Sequence, residues 1–291
     1  MKYRVRHTTR YRYKSAVNLA SHMLHLRPRP LGHQIVRETT LLSHPAPVRI
    51  SEALDHFGNR TTWLFLEVPH ESFSVTAESS IDVAFPAAPF PRDTPAWEKV
   101  VAAARAGGAN ALAAEFQFES PMCVTDPGAR VYVAQSFPAG RPVMEGALEL
   151  LDRMAKDFTF RSGVTTLATP IAKVLATREG VCQDFSHLLI SGLRGVGLPA
   201  RYVSGYIRTR PPPGQLRRRG SDQSHAWVSV WMGSEHGWLD IDPTNRLVVK
   251  DEHVVLGWGR DFGDVSPLRG VILGGGAHTL DVSVDLEPIE T

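Results

Sequence analysis

The hydrophobic period of the chain changes at one proline-rich stretch, PAAPFPRDTP (86–95), and the change limits what each side of it can become. Ahead of it, apolar residues alternate. Tyr3, Val5, His7, Thr9, Tyr11 and Tyr13 hold one parity, while Lys2, Arg4, Arg6, Arg10 and Arg12 hold the other. That is the period of a strand with an aromatic inner face and a cationic, solvated outer one. QIVRETTLL (34–42), RTTWLFLEV (60–68) and SFSVTAESSIDVAF (72–85) are β-like too, punctuated by Asp55-His56-Phe57-Gly58-Asn59 and Pro69-His70. Residues 1–88 are therefore expected to form an antiparallel, sandwich-like β domain.

Behind the stretch the period is helical. AWEKVVAAARAGGANALAAEF (96–116) is alanine-rich and breaks near Gly107-Gly108. RPVMEGALELLDRMAKDF (141–158) sets Met144, Leu148, Leu151 and Met154 at helical spacing, with Pro142 suited to a first turn. TPIAKVLATREG (169–180) runs from a Thr169 cap to Gly180. The division expected is a β domain over 1–88, a linker with helices over 89–140, and a second unit over 141–291. That unit takes in the tail GVILGGGAHTLDVSVDL (270–286), read as a final strand.

Composition narrows the class. The chain has 291 residues, 43% of them hydrophobic, and a net charge of +2, too small to argue for nucleic acid. No run reaches the roughly 18 apolar residues needed to cross a bilayer. MKYRVRHTTRYRY begins basic but has no apolar stretch after it, so no secretory signal is expected. With two cysteines, Cys123 and Cys182, a cytoplasmic setting is the expectation and a disulfide between them the minor alternative.

Cys182 stands at the start of CQDFSHLLISGLRGVG (182–197), where Phe185, Leu188, Leu189, Leu193 and Val196 mark an amphipathic helix. A thiol there meets the positive end of the helix and its unpaired N–H groups, which favour the thiolate and can hold an oxyanion. The plain alternative is a small packed side chain. A third possibility, metal binding through Cys182, Asp184 and His187, lacks the further ligands a site needs. Gln183 and Asp184 beside the thiol are helix-start residues first and substrate-cleft candidates second.

A nucleophilic cysteine needs an imidazole, and the imidazole needs an orienting group. In SHAWVSVW (224–231), His225, Trp227, Ser229 and Trp231 share one face of a strand that turns through MGSEHG (232–237) into WLDID (238–242). A turn centred in that loop sets His225 opposite a position between 242 and 245, so Asp242 is favoured over Asp240 as orienter. Trp227, two residues from the base, is a candidate cleft wall, with core packing the equal alternative.

GVCQDFSHLLISGLRGVGLPARYVSGY (180–206), SHAWVSVW (224–231) and GWLDIDPTN (237–245) together resemble the transglutaminase-like superfamily, specifically its bacterial cysteine proteases. TTLATP (165–170) fits as well, and the β domain resembles the family's N-terminal region. The resemblance implies an α+β, papain-like core with the cysteine helix packed on an antiparallel sheet. It places the triad on Cys182, His225 and Asp242 and implies no metal or other cofactor. It further implies acyl transfer on peptide or protein amides through a thioester, with hydrolysis favoured over cross-linking. Two other classes stay open: a binding module with a vestigial triad, and nucleic-acid binding, which lacks a motif. RTRPPPGQLRRRGSDQ (208–223), running into His225, is expected to be an exposed loop beside the cleft. A solvated loop is the first reading of it, and a gate in which Arg217, Arg218 and Arg219 select acidic peptides or anionic polymers is the second.

Overall fold

The computed structural model describes residues 1–209 and 222–289, so Arg217, Arg218 and Arg219 lie outside the described residues. The N-terminal unit opens with a 23-residue strand, β1 (Lys2–Leu24). It continues through β2 (Gln34–His44), β3 (Arg49–Leu54), β4 (Arg60–Leu66) and β5 (His70–Val83). Helices follow: α1 (Trp97–Arg105), α2 (Ala111–Ala114), α3 (Pro127–Ala134) and α4 (Val143–Asp157). A two-residue parallel pair, β6 (Thr159–Phe160) with β7 (Glu179–Gly180), brackets α5 (Ile171–Thr177) and leads into α6 (Cys182–Gly195). The second sheet comprises β8 (Ala200–Ile207), β9 (Gln223–Trp231), β10 (Trp238–Asp242), β11 (Leu247–Val248) and β12 (His253–Gly259). The described chain finishes with α7 (Phe262–Val265), β13 (Leu268–Gly274) and β14 (His278–Pro288).

The N-terminal sheet has seven strands, all built around β1. Up to Arg12, β1 runs between β5 and β14; from Ala20 on its neighbours are β13 and β4. Its pairing with β5 shifts register between Arg12 and Val17. Around the middle of β1 the inward residues form one core, including Tyr13, Val17, Leu64, Leu66, Phe73 and Val75. The expected antiparallel β domain is a single hydrogen-bonded sheet around one long strand. The cationic face is solvated, and its arginines meet acids across the strands: Arg6 with Glu78 at 3.3 Å and Arg10 with Asp281 at 3.5 Å.

The chain's tail departs from the expected division. Instead of finishing the unit over 141–291, β13 and β14 pair antiparallel with β1, so the N-terminal sheet is closed by the C-terminal strands. The alternation VILGGGAHTLDVSV marks strands but carries no information about which edge receives them.

In the second sheet the order is β11-β10-β9-β8-β12. One face, with Ala226, Val228 and Val230, packs on α6 and α4 in the largest core. α6 is buried almost all round, and α3 crosses it closely: a Cβ at Gly192 would lie 2.3 Å from Val133 Cγ2. The β12 edge is closed by the N-terminal unit. The Gln34 amide pairs with both backbone groups of Val255, at 2.8 Å each, and Asn59 does the same at Trp258 at 3.0 and 2.8 Å. Two side-chain amides therefore stand in for a neighbouring strand. Tyr3, Val5, Ile81 and Leu286 then pack on Tyr206, Val254 and Leu256 to join the two sheets.

Candidate active site

Cys182 is the first residue of α6, entered from Val181 in extended conformation (φ −116°, ψ 178°). Asp184 holds that entry. Its Oδ2 accepts the Val181 backbone N–H at 2.8 Å and the Thr165 hydroxyl at 2.7 Å. Valine has no side-chain oxygen to reciprocate, so only half of a capping box exists. Gly180 permits the arrangement, since a Cβ there would come 2.9 Å from the Asp184 carboxylate. The thiol is half-buried and free, as is the deeply buried Cys123. Cys123 donates to the His187 carbonyl at 3.4 Å and is raised by burial to about 12, an inert packed thiol.

His225, on β9, is buried, and its Nε2 donates to Asp242 Oδ2 at 2.7 Å. That leaves Nδ1 free, and Cys182 is close enough to help raise the ring. Burial alone would push the imidazole down; hydrogen bonds to Asp242 and Cys182 outweigh it and hold His225 above its ordinary value. Asp242 mirrors this. Burial pushes the carboxyl up, but hydrogen bonds from His225, His253 and Asn245 hold it well below the usual carboxylate range.

Strand register alone would not produce this contact. Trp231 faces Trp238 and Val228 faces Ile241, which aligns His225 with Thr244 and Asp242 with Trp227. Pairing stops at Ile241, before Pro243, and Asp242 reaches diagonally to His225. Its Oδ1 meanwhile accepts the backbone N–H groups of Thr244 and Asn245 at 2.9 and 3.1 Å. Asp240 faces Ser229 and accepts the Trp227 indole N–H at 3.0 Å.

Trp227 is fully buried behind the base, its ring centroid 6.1 Å from that of His225 and 5.2 Å from that of His253. It supports the imidazole from the core and does not wall an open cleft. Gly205, paired with His225 on β8, makes room for this stack: a Cβ there would lie 2.5 Å from the Trp227 ring and 2.1 Å from the Val254 carbonyl. Gln183 and Asp184 line a cavity of about 410 Å³ with Met122, Leu167, Thr169 and Ile171.

Two functional neighbours escape sequence reasoning. Asn245 Nδ2 donates to Asp242 Oδ2 at 2.7 Å, and His253 Nε2 does so at 3.2 Å. Asn245 lies in GWLDIDPTN (237–245), three residues past Asp242, where it reads only as a turn residue. His253 lies on β12, and no spacing announces that it meets β10. Hydrogen bonds to a charged group are worth about 1.5–3 kcal/mol. Asn245→Ala or His253→Phe should therefore each lower kcat by about 10-fold with KM little changed, measured by steady-state kinetics. Losses confined to KM would deny these residues an orienting role.

The grouping of Cys182, Asp184 and His187 as metal ligands does not form. Asp184 is taken up at the helix entry, and His187 Nε2 accepts the Phe262 N–H at 3.2 Å. Among the described residues, His225, Asp242 and His253 instead bring ligand-type atoms within 4.8 Å of one another. Both imidazoles point N–H at one carboxylate oxygen there, a hydrogen-bonded arrangement in which a cation would compete with two protons.

Comparison with known proteins identifies the family. Residues 3–82 match the model of the bacterial transglutaminase-like N-terminal region, and residues 132–243 match that of the transglutaminase-like superfamily. An uncharacterised protein of Mycobacterium tuberculosis is 42% identical over 99% of this chain and 93% of its own length. A protein-glutamine gamma-glutamyltransferase of Pseudomonas aeruginosa is 39% identical over 24% of this chain and 11% of that protein. The fold is shared with a candidate cysteine protease from Cytophaga hutchinsonii at a TM-score of 0.77 and 21% identity, over 100% of this chain and 91% of that one. The chain therefore belongs to the transglutaminase-like superfamily, with a bacterial transglutaminase-like N-terminal region ahead of its α+β core.

Proposed function

We propose that the protein is a cysteine hydrolase or acyltransferase acting on amide carbonyls of peptides or proteins, with Cys182, His225 and Asp242 as its triad. One observation carries this: a buried imidazole fixed by a buried carboxylate on Nε2, beside a cysteine that opens a helix and raises the ring. The thiolate of Cys182 attacks the carbonyl carbon, and first-turn N–H groups of α6 donate hydrogen bonds to the developing oxyanion. A single such donor contributes about 2.7–4 kcal/mol. The imidazolium of His225 passes its Nδ1 proton to the leaving amine, and a thioester remains on Cys182. Water then deacylates the enzyme, or a lysine amine does so and forms a cross-link; water is the expected acceptor.

Incubation with peptide pools followed by mass spectrometry of Cys182, with and without an added primary amine, tests the reading. A trapped acyl group on Cys182 is the expected result, and its transfer to the amine would identify the acceptor. Iodoacetamide gives a substrate-free check. At pH 6 it should alkylate Cys182 at least 10-fold faster than a model thiol, and His225→Ala should remove the excess. An ordinary rate in the parent protein would favour a binding module with an inactive triad.

A further inference from the structure

A second cavity, of about 320 Å³, lies between the catalytic sheet and the segment that joins β5 to α1. None of the three triad residues lines it. Phe85, Trp238 and Trp258 form apolar walls, and Arg201, His33 and Asp240 supply polar groups. Arg201 is only 8% exposed, and its guanidinium stacks 3.7 Å from the Trp258 ring centroid and 4.2 Å from that of Trp238. Contact with the rings uses the π surface of the guanidinium and none of its N–H donors.

No described residue accepts a hydrogen bond from Arg201 Nε. Asp240 attracts Arg201 through charge without forming an ion pair, and its Oδ2 is engaged by Trp227. Burial pushes Arg201 down to about 9; Asp240 partly offsets this, and Arg29 adds to it. Across the same cavity, the ring of His33 lies 4.1 Å from that of Phe85 and also leaves a buried Nε2 without a partner. A buried cation with an unpartnered N–H is costly unless something satisfies it.

We infer that this cavity is a binding site for an organic carboxylate on a compact apolar body, gripped by the N–H edge of Arg201 and by His33. The planar fork matches a carboxylate in two parallel hydrogen bonds. Asp240, facing the same space, disfavours a dianion, which selects a monocarboxylate over phosphate. The aromatic walls take the apolar body. Through the Asp240–Trp227 hydrogen bond, the site lies one side chain behind His225 and His253.

Benzoate is the probe, with benzamide as neutral control and inorganic phosphate as the competing anion. Two of the six tryptophans flank Arg201, so the indole N–H signals of the ¹⁵N-labelled protein report occupancy. Benzoate should shift the Trp238 and Trp258 signals saturably, with a Kd on the order of 1 mM, and benzamide should leave them in place. Cys182→Ala should bind benzoate as the parent does, and Arg201→Lys should bind at least 10-fold more weakly. If Arg201→Lys fails to fold, His33→Ala provides the comparison and should weaken binding about 3-fold. Equal shifts with benzamide, saturation by phosphate in place of benzoate, loss of binding in Cys182→Ala, or no saturation at tens of millimolar would each overturn the assignment.

Discussion

Cys182→Ala should lower amide turnover by on the order of 10⁴-fold or more while leaving the fold intact. Removing a nucleophile abolishes the covalent route altogether. What survives is the contribution of the oxyanion donors and of substrate positioning, neither of which needs the sulfur. The fold should tolerate the change because the thiol is only half-buried, at the edge of the main core, and alanine keeps its Cβ there. The α6 entry is held by Asp184 and Gly180, whose geometry does not involve sulfur. The thermal midpoint should stay within a few degrees of the parent, and no acyl adduct should form. Cys123→Ala, at the inert thiol, should keep full turnover and lose stability instead, because it opens a hole in a buried site. Turnover in Cys182→Ala within 10-fold of the parent would assign the chemistry to another residue.

How much of this was legible in the sequence depends on whether the cause is local. The start of α6 at Cys182 follows from the spacing of Phe185, Leu188, Leu189 and Leu193, and the hairpin of β9 with β10 follows from alternation on either side of a short loop. Asp242 was legible through that hairpin, although register brings it only to the level of Trp227 and the break at Pro243 completes the contact. His253 was not legible, because its approach depends on Gly205 clearing the space between β9 and β12. Trp227 shows the limit of parity: it shares a strand face with His225, as read, but the N-terminal unit covers that face and turns a possible cleft wall into core. The docking of β13 and β14 on β1 was illegible for a related reason. Period two identifies a strand but does not name the edge it joins.

Asp242→Asn should be nearly as damaging as loss of the nucleophile, with a fall in kcat on the order of 10⁴-fold. The amide keeps the size of the carboxylate, so its oxygen can still take the backbone N–H groups of Thr244 and Asn245. The other position becomes an NH₂ facing three donors: His225 Nε2, His253 Nε2 and Asn245 Nδ2. His225 can meet it only by giving up the Nε2 proton, which moves the proton to Nδ1 and presents an N–H to Cys182 where a base is needed. Stability should fall as well, by about 3–5 kcal/mol, because the variant leaves buried donors unmatched. The pH dependence of that loss has a definite sign. Asp242 is depressed in the fold, so its contribution is present above about pH 4, its unfolded value, and fades in acid. His225 is raised in the fold, so its contribution is complete below about pH 6.5 and fades as pH rises through its folded value. The gap in thermal midpoint between parent and Asp242→Asn should therefore be widest between about pH 4 and 6.5 and narrow steadily toward pH 9.5. A gap that stays constant or widens in alkali would mean that the two side chains do not form a charged pair in the native protein.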